Sequence, residues 1–145
     1  MTKKLDHVGI AVANLEESLP IYEQILGVKA VSVKEVPSQG VRAAFFEVAN
    51  GVEVELIEPL NPETGVAKFI ERHGPGVHHI CFEVDDVDKE LDNMTAKGIR
   101  PVEPKGRLDI TGKIGFLHPK STSGVLIELA QYGTPMDKEY REPDK

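Results

Sequence analysis

Asp6-His7-Val8-Gly9-Ile10-Ala11-Val12-Ala13-Asn14-Leu15-Glu16 decides the fold, because it returns 72 positions later as His78-His79-Ile80-Cys81-Phe82-Glu83-Val84-Asp85-Asp86-Val87-Asp88. Gly51-Val52-Glu53-Val54-Glu55-Leu56 likewise returns 73 positions later as Gly124-Val125-Leu126-Ile127-Glu128-Leu129. In each copy an apolar alternating strand opens with a His, and a second strand about 48 residues on holds a Glu between apolar neighbours. The chain is an internal duplication, and each copy brings one imidazole and one carboxylate.

Residues i and i+2 of a strand share a face while their neighbours point away. Val8, Ile10 and Val12 form the apolar face that packs on a helix, which sends His7 to the opposite face. In the second copy Ile80, Phe82 and Val84 do that packing, so His79 rather than His78 is the equivalent residue. Val54 and Leu56 flank Glu55 as Ile127 and Leu129 flank Glu128, and both carboxylates leave the helix-packed face. A duplicated module commonly pairs with its twin about an approximate two-fold axis around a shared cleft. His7, Glu55, His79 and Glu128 are then expected to supply two imidazoles and two carboxylates to one divalent ion, Co, Mn, Ni, Fe or Zn. The dication removes the cost of burying carboxylates among apolar residues.

Working outward, residues 5 to 12 read as a strand. Asn14 is an N-cap with Glu17 three residues on, and a helix with Leu15, Leu19, Ile21-Tyr22, Ile25 and Leu26 on its apolar side ends at Gly27. Pro20 sits late for a first-turn proline, so a later start or a kink is expected. Val28 to Val36 and Val41 to Val48 are β-rich, and Ala49-Asn50-Gly51 connects into Val52 to Ile57. Glu47 points into the cleft if that loop has three residues and away if it has two. A short helix carrying Val66, Phe69 and Ile70 follows, closed by His73-Gly74-Pro75-Gly76. The second copy repeats the order: a strand at 77 to 84, a helix at 86 to 97 capped by Asp85 or Asp86 and stopped by Gly98, a short strand near 99 to 103, and strands near 113 to 118 and 124 to 130. Pro104 to Lys113 is expected to be a polar loop near a ligand. The expected organisation is one domain over 1–145, with module 1 at about 4–60, module 2 at about 76–132 and a surface tail at 133–145.

Twenty-four acidic against seventeen basic side chains give a net charge of -7, with no Lys/Arg run, so nucleic acid and anionic membrane are poor partners. No stretch approaches the roughly 20 apolar residues that span a bilayer. A single Cys excludes an internal disulfide, and the start of the chain shows no apolar signal core, which makes the cytoplasm the expected compartment. Cys81 shares the His79 face and either lines the cavity or packs as an inert thiol. His78 is either a packed, hydrogen-bonded neighbour or a group backing the ligands, and His73 belongs to a solvated turn. His118-Pro119-Lys120 is either a structural turn or a contact for an anionic ligand. P-loop, nucleotide-binding glycine, nucleophile-elbow and zinc-ribbon patterns are absent from the sequence.

Leu5-Asp6-His7-Val8-Gly9-Ile10-Ala11-Val12, Glu55 with Glu58-Pro59-Leu60, Gly76-Val77-His78-His79-Ile80, and Phe116-Leu117-His118-Pro119-Lys120 followed by Gly124-Val125-Leu126-Ile127-Glu128-Leu129 resemble the methylmalonyl-CoA epimerase family of the vicinal oxygen chelate (glyoxalase/bleomycin-resistance) superfamily. The resemblance runs over residues 4 to 132. It implies an α+β fold of two tandem βαβββ modules forming a curved mixed sheet around a metal cleft. It also implies a divalent ion, often cobalt, on His7, Glu55, His79 and Glu128, and a homodimer. The implied substrate is an acyl-CoA thioester, methylmalonyl-CoA, interconverted between its 2R and 2S forms in propionyl-CoA metabolism. Glu128 is the expected base for one face of C2. Aligning Gln39-Gly40-Val41 with the family places Ala43 where some members carry a second catalytic Glu, and Ala cannot move a proton. The alternatives are a glyoxalase-like isomerase and a metal-free small-molecule binding or resistance protein.

Overall fold

The computed structural model describes residues 2–109 and 112–133. The elements run β1 (Thr2–Ala11), α1 (Leu15–Leu26), β2 (Ser32–Val36), β3 (Val41–Glu47), β4 (Glu53–Pro59), α2 (Gly65–His73), β5 (Gly76–Val84), α3 (Val87–Ala96), β6 (Arg107–Asp109), β7 (Gly112–Leu117) and β8 (Leu126–Gln131). Three short 3-10 turns lie between strands, at Pro37–Gln39, Ala49–Gly51 and Pro119–Ser121. The class is α+β with the strand-helix-strand-strand-strand order in both copies, as expected. The tail expected from 133 falls, except for Gly133, outside the described residues.

The described chain forms two compact units, an N-terminal one of residues 7–78 and a C-terminal one of residues 2–6 with 79–133. In the N-terminal unit the strand order is β2-β3-β4-β1, with β1 and β4 parallel and the other pairs antiparallel. In the C-terminal unit the order is β5-β8-β7-β6, with β5 and β8 parallel and the rest antiparallel. The duplication is therefore one of topology as well as of sequence.

Each unit buries one sheet face under its helix. Val12, Leu15, Ala44, Phe46 and Leu56 form the first core, with Ile10, Leu19, Leu26 and Val54 packed against it. Val84, Val87, Leu91, Leu117 and Leu129 form the equivalent second core, with Phe82 and Ile127 at its margin. Gly115 is small for a reason: a Cβ there would meet Leu91 Cδ1 at 2.9 Å and Val87 Cγ1 at 3.0 Å.

The caps expected at Asn14 and Asp86 form, and Thr64 caps α2 besides. Asn14 accepts from the Glu17 N–H, Thr64 from the Ala67 N–H and Asp86 from the Lys89 N–H, each at 3.1 Å. Gly27, at φ 71°, ends α1. The later start for α1 is not taken. Pro20 lies inside a helix that begins at Leu15, held by Asn14 and by Glu58 Oε2, which accepts the Leu15 N–H at 2.7 Å.

The region 99–109 differs from expectation. Near 99–103 only an isolated bridge joins Pro101 to Leu117, whereas Arg107–Asp109, placed by the sequence in a loop, pairs with β7 as β6. The outer edge of β7 holds the Val102 N–H on Phe116 O and the His118 N–H on Arg100 O, both at 2.8 Å. Pro101 and Pro104 have no N–H to extend that ladder. The strand resumes only past them.

Candidate functional site

His7 and Glu55 lie on neighbouring parallel strands of the N-terminal unit. Register pairs Gly9 with Glu55, so His7 stands two residues earlier on the same face, and Phe45 of β3 pairs with Glu55 from the other side. Both side chains are buried, and His7 Nε2 lies 3.9 Å from Glu55 Oε2. In the C-terminal unit Cys81 pairs with Glu128, His79 stands two residues earlier, and Phe116 of β7 pairs with Glu128 from the other side. His79 and Glu128 are each 3% exposed. Each unit thus holds a buried His and Glu in the same offset, facing away from the helix, as the period-two argument requires.

The repeat also duplicates contacts that single-residue reading missed. The first N–H of α1, from Leu15, is accepted by Glu58, three residues past Glu55. The first N–H of α3, from Val87, is accepted by Gln131 Oε1 at 3.0 Å, three residues past Glu128. The side chain at the end of each Glu-bearing strand ties down the start of the helix in its own unit. The sequence signal was available, since Glu58 and Gln131 are 73 positions apart, as Glu55 and Glu128 are. Phe45 and Phe116 form a similar repeated pair beside the carboxylates.

Ala43 lies on the Glu55 face, paired with Lys34 and Ile57, and is 1% exposed. A methyl group there adds apolar surface and no acid. The Ala49–Gly51 loop has three residues, closed by the Val48 N–H on Val52 O at 2.9 Å, with Asn50 at φ 67° and Gly51 at φ 73°. Glu47 therefore shares the Glu55 face, at an exposed strand end opposite Glu53. Cys81 packs with Ile114 and Ala130, among Phe116 and Tyr132, which is the buried-thiol reading. In the same unit Tyr132 Oη donates to Asp6 Oδ2 at 2.5 Å.

His118 forms a structural turn: its Nδ1 accepts the Lys120 N–H at 3.1 Å and caps the 3-10 turn that follows. His78 stacks edge-on to Phe69, with centroids 5.0 Å apart, and burial pushes its pKa down to about 4. His73, exposed at the end of α2, leans on the same ring at 5.1 Å.

The chain, with its duplicated βαβββ modules and a buried His/Glu pair in each, is matched over residues 6–116 by the model of the Glyoxalase/Bleomycin resistance protein/Dioxygenase superfamily. The ethylmalonyl-CoA/methylmalonyl-CoA epimerase of Cereibacter sphaeroides is 37% identical, over 90% of this chain and 99% of that protein. The crystal structure of methylmalonyl-CoA epimerase from Mycobacterium tuberculosis aligns with TM-score 0.86 and 33% identity, over 94% of this chain and 93% of the other. A Streptomyces coelicolor methylmalonyl-CoA epimerase variant in complex with 2-nitronate-propionyl-CoA aligns with TM-score 0.83 and 32% identity, over 92% and 97%. The chain belongs to the methylmalonyl-CoA epimerase family of that superfamily.

Proposed function

We propose that the chain interconverts (2R)- and (2S)-methylmalonyl-CoA. The observation that carries this reading is the pair of identically built, buried His/Glu half-sites in a chain of the epimerase family. The relative captured with a propionyl-CoA analogue supports an acyl-CoA thioester as the substrate here.

Two imidazoles and two carboxylates, all withdrawn from water, fit a borderline-hard divalent ion, and apolar strand neighbours make unneutralised carboxylates costly. We assign His7, Glu55, His79 and Glu128 as its ligands. Cobalt is favoured by the family resemblance, and Mn, Ni, Zn and Fe suit the same donors. When bound, the ion supplies Lewis acidity that makes the C2 proton of the thioester acidic.

The chain's own residues do the rest. Glu128 takes the C2 proton from one face and returns it; its register neighbours Cys81 and Phe116 keep water from the carboxylate. His7 and His79 are each fixed by the strand that buries them in its own unit. Inversion also needs a proton delivered to the opposite face, and the methyl group of Ala43 has none to give. The same reading takes the protein as a homodimer of propionyl-CoA metabolism, with the cytoplasm as its compartment; light scattering in solution tests the dimer.

The deciding experiment incubates metal-loaded protein with methylmalonyl-CoA in heavy water. Deuterium is expected at C2, with exchange at least about 100-fold slower in Glu128→Gln or His79→Ala. No exchange with any of the five ions would remove the epimerase reading, and turnover of a glutathione hemithioacetal instead would favour the glyoxalase-like alternative.

A further inference from the structure

We propose that Lys105 and Arg107, on the outer rim of β7 in the C-terminal unit, hold the phosphate groups of the CoA substrate. This rests on the acyl-CoA reading above and extends it to residues outside the His/Glu set. The first observation is charge. In a chain of net charge -7, residues 100–120 carry Arg100, Lys105, Arg107, Lys113 and Lys120 against Glu103 and Asp109 alone. A CoA thioester brings several phosphate charges to a chain of net negative charge, and a locally basic stretch is where they are accommodated.

The second observation is construction. The two edge pieces on β7, the Pro101 bridge and β6, leave an interruption between them, and the small recess at that interruption is lined by Lys105, Arg107, Val102, Phe116 and the single acid Glu103, among others. Gly106, between the two cations, is clamped. Its N–H donates to Asp88 Oδ1 at 2.8 Å, and a Cβ there would meet Val87 Cγ1 at 2.8 Å and Ile114 O at 3.0 Å. Asp88 is held in turn by the Lys113 ammonium, which keeps its carboxyl below the usual range. Lys105 and Arg107 are both exposed on either side of this fixed glycine, so the backbone that carries the two side chains is set before a ligand arrives.

The third observation is reach. Phe116, in the wall of the recess, is the register partner of Glu128. From β8 to β6 is two strand spacings, about 10 Å. A pantetheine arm is longer than that separation, so a thioester whose C2 meets Glu128 has the reach to bring its phosphates past Phe116 to Lys105 and Arg107.

The test is binding, measured by calorimetry with free CoA and with pantetheine, which lacks the phosphates and the adenosine. Lys105→Glu combined with Arg107→Glu is expected to weaken CoA about tenfold at low salt while leaving pantetheine unchanged. The difference should shrink in 0.5 M salt, as about 4 Å screening requires. The milder pair Lys105→Gln and Arg107→Gln should fall between. In turnover the reversal should raise KM for methylmalonyl-CoA, with kcat within about twofold. Equal CoA affinity in wild type and the charge-reversed protein, or equal loss for CoA and pantetheine, overturns the proposal. Since CoA binding needs no proton transfer, these outcomes are separate from failure of the epimerase reading, which shows as absent C2 exchange.

Discussion

Glu58→Ala removes the acceptor that starts α1. In the structure Glu58 Oε2 receives the Leu15 N–H at 2.7 Å, a short hydrogen bond to a charged oxygen, and Leu15 is fully buried. Such bonds contribute about 1.5–3 kcal/mol, and the donor left behind is one of the four unsatisfied N–H groups at a helix start. Glu58 Oε1 also lies 3.9 Å from Arg42 Nη1, an ion pair whose partners are 22% and 30% exposed and which adds less than about 1 kcal/mol. The expected loss is about 2 kcal/mol, or roughly 6 °C in Tm for a domain of this size. Urea unfolding at pH 7.5 measures it. The control lies inside the molecule, because Gln131 does the same task for Val87 with a neutral amide at 3.0 Å. Glu58→Gln should therefore cost only about 1 kcal/mol, since the acceptor is kept and only its charge is lost. If Glu58→Gln proves as damaging as Glu58→Ala, the acceptor is not what matters and the helix-tether account is wrong.

Metal loading should raise Tm, with a stabilisation of about 2.7 kcal/mol at free ion a hundredfold above Kd; a chelator should abolish it, and His7→Ala should make the protein indifferent to both. Gly115→Ala should destabilise by about 1–3 kcal/mol in urea titrations, because Val87 and Leu91 leave no room for a methyl group; an unchanged midpoint would mean that α3 adjusts freely. For His78 the sign runs through its depressed pKa of about 4 against 6.5 unfolded: the unfolded chain takes up the proton first. Stability of the metal-free protein should thus be fully present above about pH 6.5 and fall, by up to about 3 kcal/mol, as pH drops towards 4. His78→Phe should flatten that slope, and a slope identical to wild type would exclude His78 as its source.

The sequence by itself determined which faces meet which neighbours. Strand period two sends His7 and His79, Glu55 and Glu128 away from the helices, and local signals at Asn14, Asp86 and Gly27 set helix ends, because these are properties of consecutive residues. Tertiary structure decided what depends on distant partners. The pairing of Gly9 with Glu55 and of Cys81 with Glu128 fixes how far each His stands from its Glu. The tethers from Glu58 and Gln131 span 43 and 44 residues. The three-residue turn at Ala49–Gly51 chose the face of Glu47, which composition left open in two ways. The short strand at Arg107–Asp109 shows the limit most clearly. Its three residues carry little strand propensity of their own, and they pair because the prolines at 101 and 104 leave the outer edge of β7 with hydrogen-bonding groups that another segment can satisfy.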